Sequence, residues 1–189
     1  MKILKRSFYS RDPSTVAREL LGKILVREVE GICLKGKIVE TEAYYGEDDP
    51  ASRAYKGKKK YNSLMWSSPG FAFIYMVHAN WLFNIVSHEK DKVGAVLIRA
   101  LEPLEGIEFM RNERKSRVNL TNGPGRLTKA LRITKELNGI DVTRKGPIYV
   151  LNAPLPEEIR SSHRIGVRKD LRKKLRFFIP GNDFVSKSF

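Results

Sequence analysis

The stretch KILVREVEGICLKGKIVETEAYYG, residues 23–46, constrains the fold of this chain most strongly. Its residues alternate and many are β-branched, which predicts a hairpin turning near Gly31. A largely helical fold is thereby disfavoured. Just upstream, SRDPSTVARELLGK reads as a helix with both ends marked. Asp12 is placed to cap it, Pro13 suits its first turn, Val16, Leu20 and Leu21 form an inward stripe, and Gly22 stops it. Residues 46–70 read as loop. Phe71–Val77 reads as a buried strand, and 80–87 and 94–101 continue the sheet. Helical spacing then appears in LEPLEGIEFMRNERKSR and, after the turn NGPG, in RLTKALRITKEL. IYVLNA, RIG and RFFIPG suggest further short strands before the tail NDFVSKSF. With no repeat, low-complexity linker or boundary in view, residues 1–189 read as one mixed α+β domain.

Charge narrows the function classes. The 189 residues carry a formal net charge of +15, yet 41% are apolar, enough for a core and too many for a disordered basic tail. So basic a chain is most economically a binder of polyanions, with nucleic acid ahead of an anionic membrane surface. A structural or RNA-binding basic protein and an enzyme acting on nucleic acid are both compatible with charge alone. Cys33 is the only cysteine, which excludes an intrachain disulfide, a Cys-rich zinc finger and an iron–sulfur cluster. His78, His88 and His163 are too far apart for a histidine metal motif; a metal held by carboxylates stays open but has no obvious motif, and the expectation is no metal and no cofactor. No apolar segment follows Lys2, Lys5 and Arg6, and the longest apolar run, Phe71–Val77, is far short of a membrane span. The expectation is a soluble intracellular protein of the cytoplasm or nucleoid, or of the nucleus if the source is eukaryotic.

Three segments could carry chemistry. In IVETEAY, strand periodicity points Ile38, Glu40, Glu42 and Tyr44 to one side, with the two carboxylates roughly 7 Å apart. Apolar surroundings and a like charge would both raise a carboxylate pKa, as suits a general base for water. The spacing alone equally describes a solvent-facing strand, and by itself favours that plainer reading. Five of the eight residues 53–60 are basic (Arg53, Lys56, Lys58, Lys59 and Lys60), as suits phosphate contact, and seven of the eighteen aromatics follow in 61–84. Such clusters are mostly core; stacking on a nucleobase, with Tyr75 a candidate, is the sharper alternative. Residues 160–176 hold eight cations, Arg164 and Arg168 among them, against Asp170 alone. This is either a solvated face or a phosphate-binding one. Gly123, Gly125 and Arg126 open a helix whose amides could meet a phosphate. NGPGRLTKAL with Asp141 downstream also has a superficial look of a helix-hairpin-helix glycosylase.

Taken together, FYSRDPSTVARELLGKILVR, GKIVETEAYYGEDDPASRAY, SSPGFAFIYMV, GAVLIRALEPLEGIEFMR, NGPGRLTKAL, RIGV and LRFFIPGNDFVS resemble the 3-methyladenine (alkyladenine, methylpurine) DNA glycosylase family nearly end to end. The resemblance implies a curved, mostly antiparallel sheet with flanking helices and a protruding β-hairpin. It also implies a monofunctional, monomeric base-excision-repair enzyme acting on damaged purines in double-stranded DNA. Carried over by position, Glu42 becomes the general base and Arg99 the residue that helps hold the water and carboxylate. Tyr44 and Tyr75 become the aromatics around the extruded base, and Asn84 the pocket floor that crowds the guanine 2-amino group. Two positions depart from the family pattern. Arg53 stands where a histidine is usual, which leaves the range of accepted bases open. MVHANWLFN is one residue short around the intercalating residue, so His78, with Val77 next, is the expected wedge. A glycosylase with lyase activity, using a lysine amine, is the enzyme alternative; no lysine here has a recognisable catalytic context.

Overall fold

The computed structural model describes residues 1–186; positions 187–189 of the tail lie outside the described residues. Among the described residues eight strands form one sheet, and every pairing is antiparallel: β1 (Ile24–Val29), β2 (Ile32–Tyr44), β3 (Ala72–Val77), β4 (Asn80–Val86), β5 (Ala95–Glu105), β6 (Ile148–Leu151), β7 (Arg160–Ser162) and β8 (Arg176–Phe178). The order β3-β4-β5-β2-β1-β6 forms the main path, and β8 adds to β2 with β7 beside it. The sheet curls, and the helices α1 (Arg6–Tyr9), α2 (Pro13–Glu19), α3 (Ile107–Arg114) and α4 (Pro124–Ala130) flank it. The α+β expectation is met.

The predicted hairpin is present. Val29 pairs with Ile32 across a two-residue turn, and Glu30 and Gly31 both have positive φ, the backbone that a type I′ connection requires. Helix α2 begins as its sequence foretells. The Asp12 carboxylate accepts from the Thr15 N–H at 3.0 Å, a cap worth about 1 kcal/mol, and Asp12 also accepts from the Tyr45 hydroxyl. Val16, Leu20 and Leu21 are fully buried against the sheet with Leu25, Leu34, Ile98 and Leu101. Gly22 then turns the chain at φ +82, where a Cβ would meet the Pro154 carbonyl oxygen at 2.5 Å.

Five local readings change, the first being that RIG, 164–166, lies outside the strands, with β7 at Arg160–Ser162 instead. Loop 46–70 contains a 3₁₀ helix, Lys60–Trp66, and LEPLE continues β5 instead of opening a helix. The length of β2 provides the reason for the latter, pairing Gly36 with Pro103 and Lys35 with Glu105. Proline is tolerated there because the register shifts between Lys35 and Gly36. Helix α4 ends before Ile133, with Arg132 at φ +47. Finally, Ile38 does not share a face with Glu40: it joins the main core with Ala43, and a register shift between Ile38 and Glu40 reverses the parity.

The second tight hairpin joins β3 to β4 through His78 and Ala79, with φ +45 and +59. Neither residue is glycine, so the turn stores on the order of 1 kcal/mol per residue. The Asn80 side-chain amide donates to the His78 carbonyl at 2.8 Å, and the Asn80 side chain is pressed against Gly125 at the start of α4. That contact explains the glycine at 125, where a Cβ would meet Asn80 Oδ1 at 2.7 Å.

Candidate active site

Strand β2 carries the site in its C-terminal half. Its Glu40–Glu42 segment lies between β5 and β8, with Glu42 registered against Leu97 on one side and Arg176 on the other. Thr41 faces the opposite way, and its hydroxyl donates to the Ala17 carbonyl of α2. Glu40 and Glu42 are thereby both carried to the face away from α2, and both are wholly buried. Buried carboxylates require partners, and these differ between the two.

Glu42 is held by three donors. The Ile165 N–H reaches Oε1 at 2.8 Å, the Tyr44 hydroxyl reaches Oε2 at 2.7 Å, and Arg99 Nη1 lies 3.2 Å from Oε2. Burial nevertheless pushes the Glu42 carboxyl above its ordinary value, against the pull of Arg99, the Ile165 amide and the Tyr44 hydroxyl; the negative Glu40 adds to the rise. Glu40 shows the reverse. Burial would raise it, but Arg99, Arg176 and Ser186 outweigh burial and hold it below the usual carboxylate range. Two carboxylates two residues apart are thus set to different basicities by their surroundings, as acid–base chemistry needs. Arg99, bound to both, is raised above its ordinary value despite burial and stays cationic.

Two tyrosines border this pair. Burial raises the Tyr44 phenol well above its usual value, with Glu42 and Tyr75 adding to the rise, so its hydroxyl remains a proton donor to Glu42. The Arg164 guanidinium lies over the Tyr44 ring at 4.6 Å. Tyr75, on β3, packs against Phe73 with ring centroids 5.1 Å apart and has the exposed Arg53 over its ring at 4.6 Å. Asn84 is buried on β4, its amide donating to the Phe73 carbonyl at 3.1 Å. The structure therefore gathers Glu42, Arg99, Tyr44, Tyr75, Asn84 and Arg53 around one end of the sheet.

The cations expected at phosphates divide into two groups. Lys56, Lys58, Lys59, Lys60, Arg126 and Arg168 are exposed. Arg164 is not. Its side chain has no exposed surface; it makes paired bonds to both oxygens of Asp49 at 2.7 Å, reaches Asp170 at 2.6 Å and donates to the Ala43 carbonyl. Every strong donor direction is committed inside the protein, so Arg164 supports Tyr44 and has no donor left for a phosphate. Its neighbour in the same basic run, Arg176, is also buried. The sequence missed Asp49 and Asp170 as partners because charge density by itself does not reveal burial. It missed Asn62 too: buried, this residue accepts from the Lys59 N–H and donates to the Arg53 and Gly57 carbonyls, tying together the loop that bears the exposed lysines.

His78 and Val77 stand at the tip of the β3–β4 hairpin beside Gly125, so the wedge candidates and the start of α4 are neighbours. Asp141 is structurally occupied: it pairs with Arg6 at 2.7 Å and accepts from the Thr143 N–H and hydroxyl. The helix-hairpin-helix reading is disfavoured by the fold itself, which is built on an antiparallel sheet and is not largely helical.

A sequence model described as "Methylpurine-DNA glycosylase (MPG)" matches residues 7–183. The chain belongs to the methylpurine-DNA glycosylase family. Relatives named "Putative 3-methyladenine DNA glycosylase" agree over nearly the whole length. The protein from Aeropyrum pernix is 43% identical across 99% of this chain and 94% of its own. That from Clostridium perfringens is 44% identical across 97% and 98%, and that from Carboxydothermus hydrogenoformans 43% across 98% and 99%. Membership of the methylpurine-DNA glycosylase family makes the chain a DNA glycosylase, a hydrolase of N-glycosyl bonds whose substrate is DNA. No helix among the described residues is long and apolar enough to cross a membrane.

Proposed function

We propose that this glycosylase excises alkylated or deaminated purines, of the 3-methyladenine, 7-methylguanine, hypoxanthine and etheno-adenine class, from duplex DNA, with water activated by Glu42. The observation that carries the reading is Glu42 itself, a fully buried carboxylate of raised basicity with a cationic arginine 3.2 Å away. A protein that only binds nucleic acid gains nothing from such a group, because an anion facing phosphates weakens affinity.

A purine stacked in a duplex is out of reach, so the nucleotide rotates out at a cost of a few kcal/mol, least for a damaged or mispaired base. His78 or Val77 fills the gap, and the exposed cations of loop 53–60, with Arg126 and Arg168, hold phosphates. Tyr44 and Tyr75 border the extruded base, and Asn84 closes its floor. As the N-glycosidic bond breaks, its electron pair leaves with the purine and positive charge builds on the sugar, where the Glu42 carboxylate stabilises it. Water then bonds to the anomeric carbon and gives its proton to Glu42. Arg99 and the Ile165 amide keep the carboxylate in place.

Base release measured over a panel of lesion-bearing duplexes tests the proposal. The expected result is release of damaged purines, with an acid limb that falls away at a pH above the ordinary glutamate range, since the base must be ionised and burial raises its pKa. No release from any lesion would end the reading. A second measurement concerns choice among lesions. The Arg53 guanidinium already occupies a face of Tyr75 and repels a cationic base. Arg53→Gln is expected to raise release of positively charged methylated purines relative to neutral hypoxanthine by about fivefold, the worth of ~1 kcal/mol of cation–π contact. An unchanged ratio removes Arg53 from the selection.

A further inference from the structure

Beyond the Glu42–Arg99 pair lies a second layer that the reaction does not itself use. Glu40 accepts four hydrogen bonds: from Arg99 Nε at 2.9 Å, Arg176 Nε at 2.7 Å and the Ser186 hydroxyl at 2.8 Å on Oε1, and from the Ser186 N–H at 2.7 Å on Oε2. Arg176 is locked in turn by the Ser162 hydroxyl and the Ser186 carbonyl, both at 3.1 Å. The result is a buried chain, Arg176–Glu40–Arg99–Glu42, with two negative and two positive groups. Within it Arg99 is shared unequally, giving Glu40 the shorter contact and Glu42 the longer, at 3.2 Å.

We propose that Glu40, braced by Arg176 and Ser186, is a positioning residue that draws Arg99 partly away from Glu42, so that Glu42 is oriented by the arginine without surrendering its basicity to it. Glu40 itself is unsuited to accept a proton from water, because four donors hold its oxygens and, against burial, its two arginines keep its carboxyl below the usual carboxylate range. A lone buried Glu42–Arg99 pair would be tighter and the carboxylate a poorer base, since efficiency in proton transfer follows basicity. The inference extends the role proposed for Glu42 but concerns its proton affinity, which can be read without any substrate.

The charged and titratable groups facing Glu42 are Glu40 and Tyr44 from β2, Arg99 from β5, Tyr75 from β3 and Arg176 from β8, with the Ile165 amide as a further donor. Two opposite shifts follow. Glu40→Gln removes a like charge and releases Arg99 to Glu42, so the Glu42 carboxyl is expected to titrate lower by about one pH unit. Arg176→Met removes the competing partner of Glu40; Glu40 then takes Arg99 more fully, and Glu42 is expected to titrate higher by about as much. Glu40→Asp, which keeps the charge, is expected to stay close to wild type.

The experiment is a carbon-13 titration of the Glu42 side-chain carboxyl in the free full-length protein and these three variants, alongside thermal unfolding and the pH dependence of single-turnover base release. Opposite displacements in Glu40→Gln and Arg176→Met, reproduced in the acid limb of base release, support the proposal. A Glu42 titration that is unmoved in both, with lost activity matching the unfolded fraction, overturns it and leaves Glu40 a purely structural anion. If Glu40→Gln does not fold, the upward shift in Arg176→Met decides alone. Wild type that releases no damaged base would refute the proposed substrate and Glu42 reading, while the titration would still decide the sharing of Arg99.

Discussion

Replacement of Glu42 by glutamine is expected to lower single-turnover base release by about a thousandfold, within the range general-base catalysis supplies, while the variant still binds lesion-bearing duplex. The substitution keeps the shape of the side chain, and the amide oxygen can still accept from the Ile165 N–H that Glu42 uses at 2.8 Å. What disappears is the charge proposed to stabilise the developing sugar cation and the basic oxygen proposed to take the proton from water. Affinity for the damaged duplex should hold or rise slightly, because an anion facing phosphates is gone. Quenched single-turnover reactions and a separate binding titration distinguish the two effects. Release near the wild-type rate would dismiss Glu42 from the mechanism, and loss of binding together with release would point to a role in folding or docking.

A second large effect is expected at Arg164, and in stability instead of affinity. With no side-chain surface exposed, this arginine neutralises Asp49 and Asp170 and lies over the Tyr44 ring. Arg164→Met leaves the fully buried Asp49 carboxylate without its cation, the situation in which buried ion pairs cost about 3–5 kcal/mol when one member is removed. For a chain of this size that corresponds to a fall in Tm on the order of 10 °C, read by calorimetry or circular dichroism. The salt dependence of DNA binding should be unchanged in the folded fraction. Removal of an exposed cation such as Arg168 should reduce that dependence by about one phosphate contact and hardly affect Tm. A Tm for Arg164→Met close to wild type would show that the buried pairing contributes little.

The contrast between those two arginines illustrates what the sequence makes legible. Alternation and turn chemistry are local signals, so the β1–β2 hairpin, the Asp12 cap and the inward stripe of α2 can be read directly from the residues. Glu42 and Arg99 are legible through the long, specific stretches around them, VETEAYYG and LIRALEPLEG. Arg164 and Arg176 stand in a basic run that reads as surface, because the acids that bury them lie elsewhere: Asp49 is 115 positions from Arg164, and Glu40 is 136 positions from Arg176. The exposed or buried state of a cation depends on those distant partners, and no window of local sequence contains them. LEPLE was misread for a related reason, since its spacing suits a helix until the length of β2 claims it as a partner. The parity of Ile38 was lost to a bulge that no residue type in the segment announces.

Strand β2 is bonded along its length by β1, β5 and β8, and its Glu40–Glu42 segment is enclosed by neighbours on both edges. Because opening that segment means breaking pairings on both edges at the centre of the sheet, its amides are expected to exchange with solvent only on global unfolding. The carboxylate proposed as the base is thus fastened to a segment paired on both edges, whereas the tyrosine ring on β3 and the hairpin tip beside it sit at the margin of the sheet. On the proposed function, adaptation to differently shaped lesions can then be left to that margin, where fluctuation is cheap, with no loosening of the atoms assigned to the chemistry.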